Sequence, residues 1–229
     1  MASEFIEAVK RGDREAVERM LASDPELVSA RDEQGVSAVL LSHYYGKGEV
    51  SRALLARGPA LDIFEAATAG DADRVRALVA KDPALANAWS TDGFFPLGLA
   101  VFFKRPAVAR ILLEHGANPR MASKPAGFTP LHSAVADDAG TDVQDLVRML
   151  LDAGADPNAR SASGGTALHT AAFTGNVPVT KMLLAAGADA QVRDGTGWLP
   201  LDRARDKGHA EVAALLSNYL RGAGVRDAL

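Results

Sequence analysis

This sequence predicts an all-α fold assembled from repeated helix pairs, on three observations. The 229-residue chain holds 44 alanines against 13 aromatic residues, a composition that suits small, closely packed helices better than a β-sandwich. Two strings recur in register. Thr129-Pro130-Leu131-His132-Ser133-Ala134 leads to Leu150-Leu151-Asp152-Ala153-Gly154-Ala155-Asp156, and Thr166-Ala167-Leu168-His169-Thr170-Ala171 leads to Leu183-Leu184-Ala185-Ala186-Gly187-Ala188-Asp189. Finally, an apolar pair follows each leucine-type anchor at a nearly constant distance.

The anchors are Phe5, Val39, Ile63, Leu97, Leu131, Leu168 and Leu201, at intervals of 34, 24, 34, 34, 37 and 33 residues. The later apolar pair begins 15 positions after the anchor at Met20, Leu54, Leu78, Leu112 and Leu183. It begins 19 after at Leu150 and 14 after at Leu215, so the last unit is expected to be one residue short or to end differently. Thr129 is suited to cap a first helix and Pro130 to occupy its first turn, where a missing N–H is harmless. Alanines let the two helices of a unit approach, and Gly154 or Gly187 ends the second helix in a left-handed conformation. A longer period is superimposed: residues 5–35 and 63–93 share Gly12/Gly70, Asp13/Asp71, Val17/Val75, Asp24/Asp82, Pro25/Pro83 and Gly35/Gly93. The short interval from Val39 to Ile63 sends Gly58-Pro59-Ala60-Leu61-Asp62 straight into the next helix, leaving one connection between units shorter than the rest. Residues 136–142 carry an insertion whose Asp137, Asp138 and Asp142, with Asp145, lack the acid spacing of a calcium loop and read as a solvated acidic segment.

The Thr-Pro-Leu-His, Leu-Leu and Gly-Ala-Asp strings resemble the ankyrin repeat. The resemblance implies an all-α ankyrin-repeat solenoid of stacked helix-turn-helix units with projecting β-hairpin loops. It covers the chain as a single domain, 1–229, of about seven repeats of bacterial type, with residues 221–229 a short C-terminal tail. His132 is then expected to bridge its own cap to the neighbouring unit. The Phe5 unit becomes the N-terminal cap and the Leu201 unit the C-terminal one, with Asp202 at the usual histidine position.

A net charge of −4 and a pI near 5.7 exclude a generic nucleic-acid or anionic-membrane binder, which needs surplus Lys and Arg. No cysteine is present, which removes disulfides, thiolate metal sites and Cys nucleophiles. The sequence holds no His-x-x-x-His pair, no Gly-x-Ser-x-Gly elbow and no phosphate loop, so no catalytic residue, metal or cofactor is expected. The start lacks a signal-peptide pattern and no apolar run reaches about 18 residues, so a cytoplasmic protein is expected. The 18 Arg to 7 Lys bias beside abundant Ala fits a bacterial source.

The resemblance implies a monomeric, non-enzymatic protein-protein interaction module, a scaffold, adaptor or regulator, binding a partner protein through its concave face and hairpin tips. Its candidate contact residues are the aromatics at variable slots: Tyr44, Tyr45, Trp89, Phe94, Phe102, Phe103, Phe128, Phe173 and Trp198. The 58-residue period lays Tyr44-Tyr45 over Phe102-Phe103 at the end of a first helix. The competing reading folds these rings under a neighbouring hairpin, especially where Lys104 replaces the usual glycine. Two other functions stay open: a self-associating structural solenoid, and an enzyme with an improvised groove site beside His43. Lys10, Arg11, Lys47, Lys104, Arg105 and Lys207 gather where first helices end and complement the helix dipole.

Overall fold

Short capped helices come in consecutive pairs along the chain. The computed structural model describes residues 1–136 and 141–226, except the side chains of 141–142 and 223–226. Asp137 and Asp138 of the expected acidic insertion, the side chain of Asp142 and residues 227–229 therefore lie outside the described residues. The pairs are α1 (Ala2–Arg11) with α2 (Arg14–Ser23), α3 (Ala38–Tyr44) with α4 (Gly48–Leu55), α5 (Ile63–Ala69) with α6 (Ala72–Lys81), and α7 (Pro96–Phe102) with α8 (Pro106–Glu114). They continue with α9 (Pro130–Val135) and α10 (Thr141–Asp152), α11 (Ala167–Thr174) and α12 (Val177–Ala185), and α13 (Pro200–Asp206) and α14 (Ala210–Arg226).

Side-chain caps start many of these helices. Asp13, Asp71 and Asn176 each accept a backbone N–H three residues on, at 2.9–3.1 Å. Asp62 takes the N–H groups of Phe64 and Glu65 while Glu65 takes that of Asp62, a reciprocal box that lets α5 begin directly after the shortened connection. Asp24 and Asp82 cap equivalent 3-10 turns at Pro25–Ser29 and Pro83–Asn87, so the 58-residue duplication is a duplication of local structure.

First helices pack on first helices from α1 to α13, and all seven anchors are buried in that layer. Each unit leaves an apolar face that only its neighbour covers. The last unit is regular after all: Leu216, 15 residues after Leu201, is fully buried, whereas Leu215 is half-buried. Helix α14 also continues through the start of the expected tail, as far as Arg226.

The connections between pairs project as tight turns. Among the described residues they carry no strand ladder, only an isolated antiparallel bridge between Arg31 and Ser37. Their tips are linked in series instead: Lys124 N–H donates to Gly93 O (3.0 Å), Ala162 N–H to Ala126 O (2.9 Å) and Gly195 N–H to Ser163 O (2.8 Å). The turn missing before α5 does not leave an open gap. Thr91 of the next turn comes against Gly35 of the preceding one, where a Cβ would stand 3.6 Å from the threonine side chain. Arg31 reaches across to Asp62 at 3.2 Å.

Histidines tie units together beneath the turns. His132 Nδ1 accepts from the N–H (3.3 Å) and hydroxyl (2.9 Å) of Thr129, and its Nε2 donates to Gly165 O (3.2 Å) of the next turn. His169 does the same with Thr166 (3.2 and 3.0 Å) and Trp198 O (3.1 Å). At the opposite end of the first helices, residues just before a second helix lie across the glycine that ends the previous unit's first helix: Lys47 over Gly12, Arg105 over Gly70 and His209 over Gly175. Arg105 Nε donates to Thr68 O and His209 Nε2 to Phe173 O, both at 2.9 Å. Donors on a helix C-terminus satisfy its orphan carbonyls and oppose its dipole, and here they come from the neighbouring unit.

Two outcomes follow. Gly175 (φ 73°) and Gly187 (φ 89°) are both left-handed, but only at Gly175 would a methyl group meet a neighbour, 2.5 Å from His209 Nδ1. Gly187→Ala should therefore cost about 1 kcal/mol of backbone strain, and Gly175→Ala about 1–2 kcal/mol more, in urea denaturation. The second outcome concerns acid. Burial holds His132, His169 and His43 below the usual histidine value of 6.5, outweighing the backbone hydrogen bonds that push them up. The unfolded chain thus takes up protons that the folded one refuses. Their contribution is complete above pH 6.5 and is lost as pH falls from there toward the lower folded values. Urea midpoints should drop between pH 7 and pH 5, and His132→Gln/His169→Gln, less stable at the outset, should drop less.

Candidate functional site

The paired aromatics do not repeat their orientation. Tyr44 and Phe103 turn toward each other and stack, with ring centroids 6.1 Å apart and planes 12° from parallel. Their 58-residue counterparts, Phe102 and Tyr45, stay 58% and 52% exposed. The intervening α5 explains this, since it carries only Thr68 and Ala69 at the corresponding slots. Rings from α3 and from the end of α7 fill the space over these small side chains.

Tyr44 is fixed at its far end as well. Its hydroxyl donates to Asp92 Oδ2 at 2.8 Å, in the turn that replaces the missing one, and Ser90 Oγ donates to Asp92 Oδ1. Burial and the adjacent carboxylate push the phenol well above its ordinary pKa of 10, so it remains a donor. Phe94 packs against the Tyr44 ring at 6.1 Å, and Phe102 stands edge-on to Phe103 at 5.0 Å. Together with Leu99 and Phe128 these rings line a cavity of about 350 Å³, bordered by Pro125 and Ser133.

The remaining candidates lie elsewhere, three of them under cations. Lys124 Nζ sits 4.9 Å from the centre of Trp89, which also stands edge-on to Phe95. Arg203 lies 4.7 Å over Trp198, held there by Asp194, and Lys207 Nζ 4.8 Å over Phe173. Tyr45 lies outside the groove lining. Of the nine expected residues, the structure therefore brings Tyr44, Phe94, Phe102, Phe103 and Phe128 together. Sequence reasoning missed Asp92, because a contact 48 residues from Tyr44 has no local signal, and missed Phe95 and Pro125, which also line the cavity.

His43 has a structural setting. Its Nδ1 lies 3.0 Å from Val39 O, its ring stands edge-on to Phe103 at 5.7 Å, and burial together with Arg105 lowers its pKa. Among the described residues no cluster of three or more His, Cys, Asp or Glu is arranged to hold a metal ion. No described helix is long and apolar enough to cross a membrane.

The family model described as ankyrin repeats (3 copies) matches residues 63–161 and 136–227, well over half of the chain. The chain belongs to the ankyrin-repeat family. It is 49% identical over 80 residues to human neurogenic locus notch homolog protein 4, a stretch covering 35% of this chain and 4% of that protein. It is 42% identical over 66 residues to human 2-5A-dependent ribonuclease, covering 29% of this chain and 8% of that protein. The chain thus spans a small fraction of both relatives. Ankyrin repeats are generally protein-protein interaction modules and typically not enzymes. The model leaves residues 1–62 unmatched, yet the 58-residue duplication relates residues 5–35 to the matched stretch beginning at residue 63. The aromatic groove therefore straddles the boundary, with Tyr44 on one side and the other five rings on the matched side.

Packing and display are separable by substitution. Phe102→Ser should leave stability within about 0.5 kcal/mol of the parent, as for an exposed side chain. Phe103→Ser, which removes the stacked ring, should cost about 2 kcal/mol or more, and Tyr44→Phe about 1–2 kcal/mol through the lost bond to Asp92. Thermal melts of the three variants measure this.

Proposed function

We propose that this ankyrin-repeat protein is a scaffold, adaptor or regulator that binds a partner protein in the aromatic groove over α3, α5, α7 and α9. The observation that carries this reading is the convergence of six aromatic side chains on one cavity, the five expected ones and the buried Phe95, with Phe102 open to solvent at its edge. Large rings anchor partners well because they bury much area with few rotatable bonds. In this reading all seven helix pairs are repeats of one domain, the concave face is the binding face, and the protein is a monomer in a bacterial cytoplasm that acts without a cofactor. A dominant negative charge supports a protein partner over nucleic acid.

The test is affinity capture from a lysate of the source organism, with folded and monomeric variants compared in parallel. Phe102→Ser/Phe128→Ser should lose the captured protein, whereas Trp198→Ser, whose ring already lies under Arg203, should retain it. Equal capture by both variants would move the site away from the groove. A concentration-dependent dimer that disappears on Phe102→Ser would favour the self-associating solenoid.

A further inference from the structure

Beside the groove, at the hydroxyl of Tyr44, lies a carboxylate that its packing does not neutralise. Asp92 sits at the phenol end of the Tyr44 ring and is half-buried. A carboxylate offers about four acceptor positions, and the hydroxyls of Tyr44 and Ser90 occupy two of them. Among the described residues no Lys or Arg forms an ion pair with Asp92. Lys124, the cation in the neighbouring turn, is stationed over Trp89. The approach of Thr91 to Gly35 also brings the turn holding Asp32 and Glu33 beside this one. By contrast, Arg31 is paired with Asp62 and Lys10 with Glu7.

An apolar wall with, behind its Tyr44, a carboxylate that still has acceptor capacity is complementary to a side chain of each kind in sequence proximity. We propose that the occupant is a protein segment that inserts a Leu, Met or aromatic side chain against Phe102, Phe103 and Phe128 and places a neighbouring Lys or Arg on Asp92. This rests on the groove being the docking site. The apolar anchor supplies affinity, and the cation supplies orientation along the groove through a charge-assisted bond.

The experiment pans a random 12-residue peptide phage library on the full chain, then titrates labelled enriched peptides by fluorescence anisotropy. Asp92→Asn keeps an acceptor for the Tyr44 hydroxyl, so its fold is retained, which a thermal melt verifies. Enriched peptides should pair an apolar residue with Lys or Arg within about three positions. Phe102→Ser should weaken them about 30-fold or more, and Asp92→Asn about 3- to 10-fold with a shallower salt dependence. Peptides with no cation preference, or ones indifferent to Asp92→Asn but lost on Phe102→Ser, would overturn the cation contact and leave the groove reading standing. Indifference to Phe102→Ser would sink the groove reading as well. Failure to enrich any peptide, or occupation of the groove by a second copy in sedimentation velocity, would also overturn the proposal.

Discussion

Several helix pairs leave ends that they do not satisfy themselves, and the fold depends on neighbouring units completing that hydrogen bonding. The first helices are mostly six to eight residues long, too short to persist alone. Their carbonyls and turns are completed by side chains from adjacent units: His132 and His169 under the turns, Arg105 and His209 at the opposite ends. Asn158 adds a third line outside, donating to Gly187 O and accepting from Asp189 N–H. The last unit shows the same logic by exception. Asp202 accepts the Leu199 N–H at 2.9 Å, as a histidine would, but a carboxylate has no N–H to pass on. It closes its own cap and makes no demand on a following turn.

The groove is a consequence of that same dependence, displaced by one omission. Dropping the turn before α5 removes the element that would cover α3 on that side, and Thr68 and Ala69 are too small to replace it. Tyr44 crosses the vacancy to Asp92, and Phe103 rotates back to stack on it. The backbone beside Phe103 takes up part of the consequence: Lys104 holds φ at 54°, the one described non-glycine residue with a positive φ, in a slot where five of the other six units place glycine. Such a conformation disfavours an L-residue by roughly 1–2 kcal/mol. Buried stacking and the Tyr44–Asp92 bond offset it, so the aromatic cluster is held in one arrangement before any partner arrives.

Periodic features were legible in the sequence because each is a local rule repeated. The Leu131 and Leu168 strings, the glycine stops and the 58-residue duplication all appear as expected elements with buried anchors. The apparent shortening at Leu215 was a misreading of a run of apolar residues: Ala213, Ala214, Leu215 and Leu216 offer two registers, and only the layer beneath selects Leu216. The missing turn could be counted, but not its closure by Thr91 and Arg31. The exchange of orientation between Tyr44-Tyr45 and Phe102-Phe103 was equally hidden, because it depends on small residues in a third unit that the period skips.

Exposure alone would have ranked the aromatic side chains wrongly. Phe128 and Phe173 are equally exposed, at 47%, yet they differ in what already covers them. Phe173 has Lys207 over its face, as Trp89 has Lys124 and Trp198 has Arg203, and a partner would have to displace a cation that each ring attracts. Among the described residues no cation lies over Phe128, whose ring tilts against His132 and borders the cavity. Covered rings behave as parts of the solenoid's outer packing, each one tying a turn or helix end to the next unit. Apart from Tyr45, the uncovered candidate rings converge beside the interruption of the repeat, so the same departure from regularity that opens the surface also concentrates the side chains best able to use it.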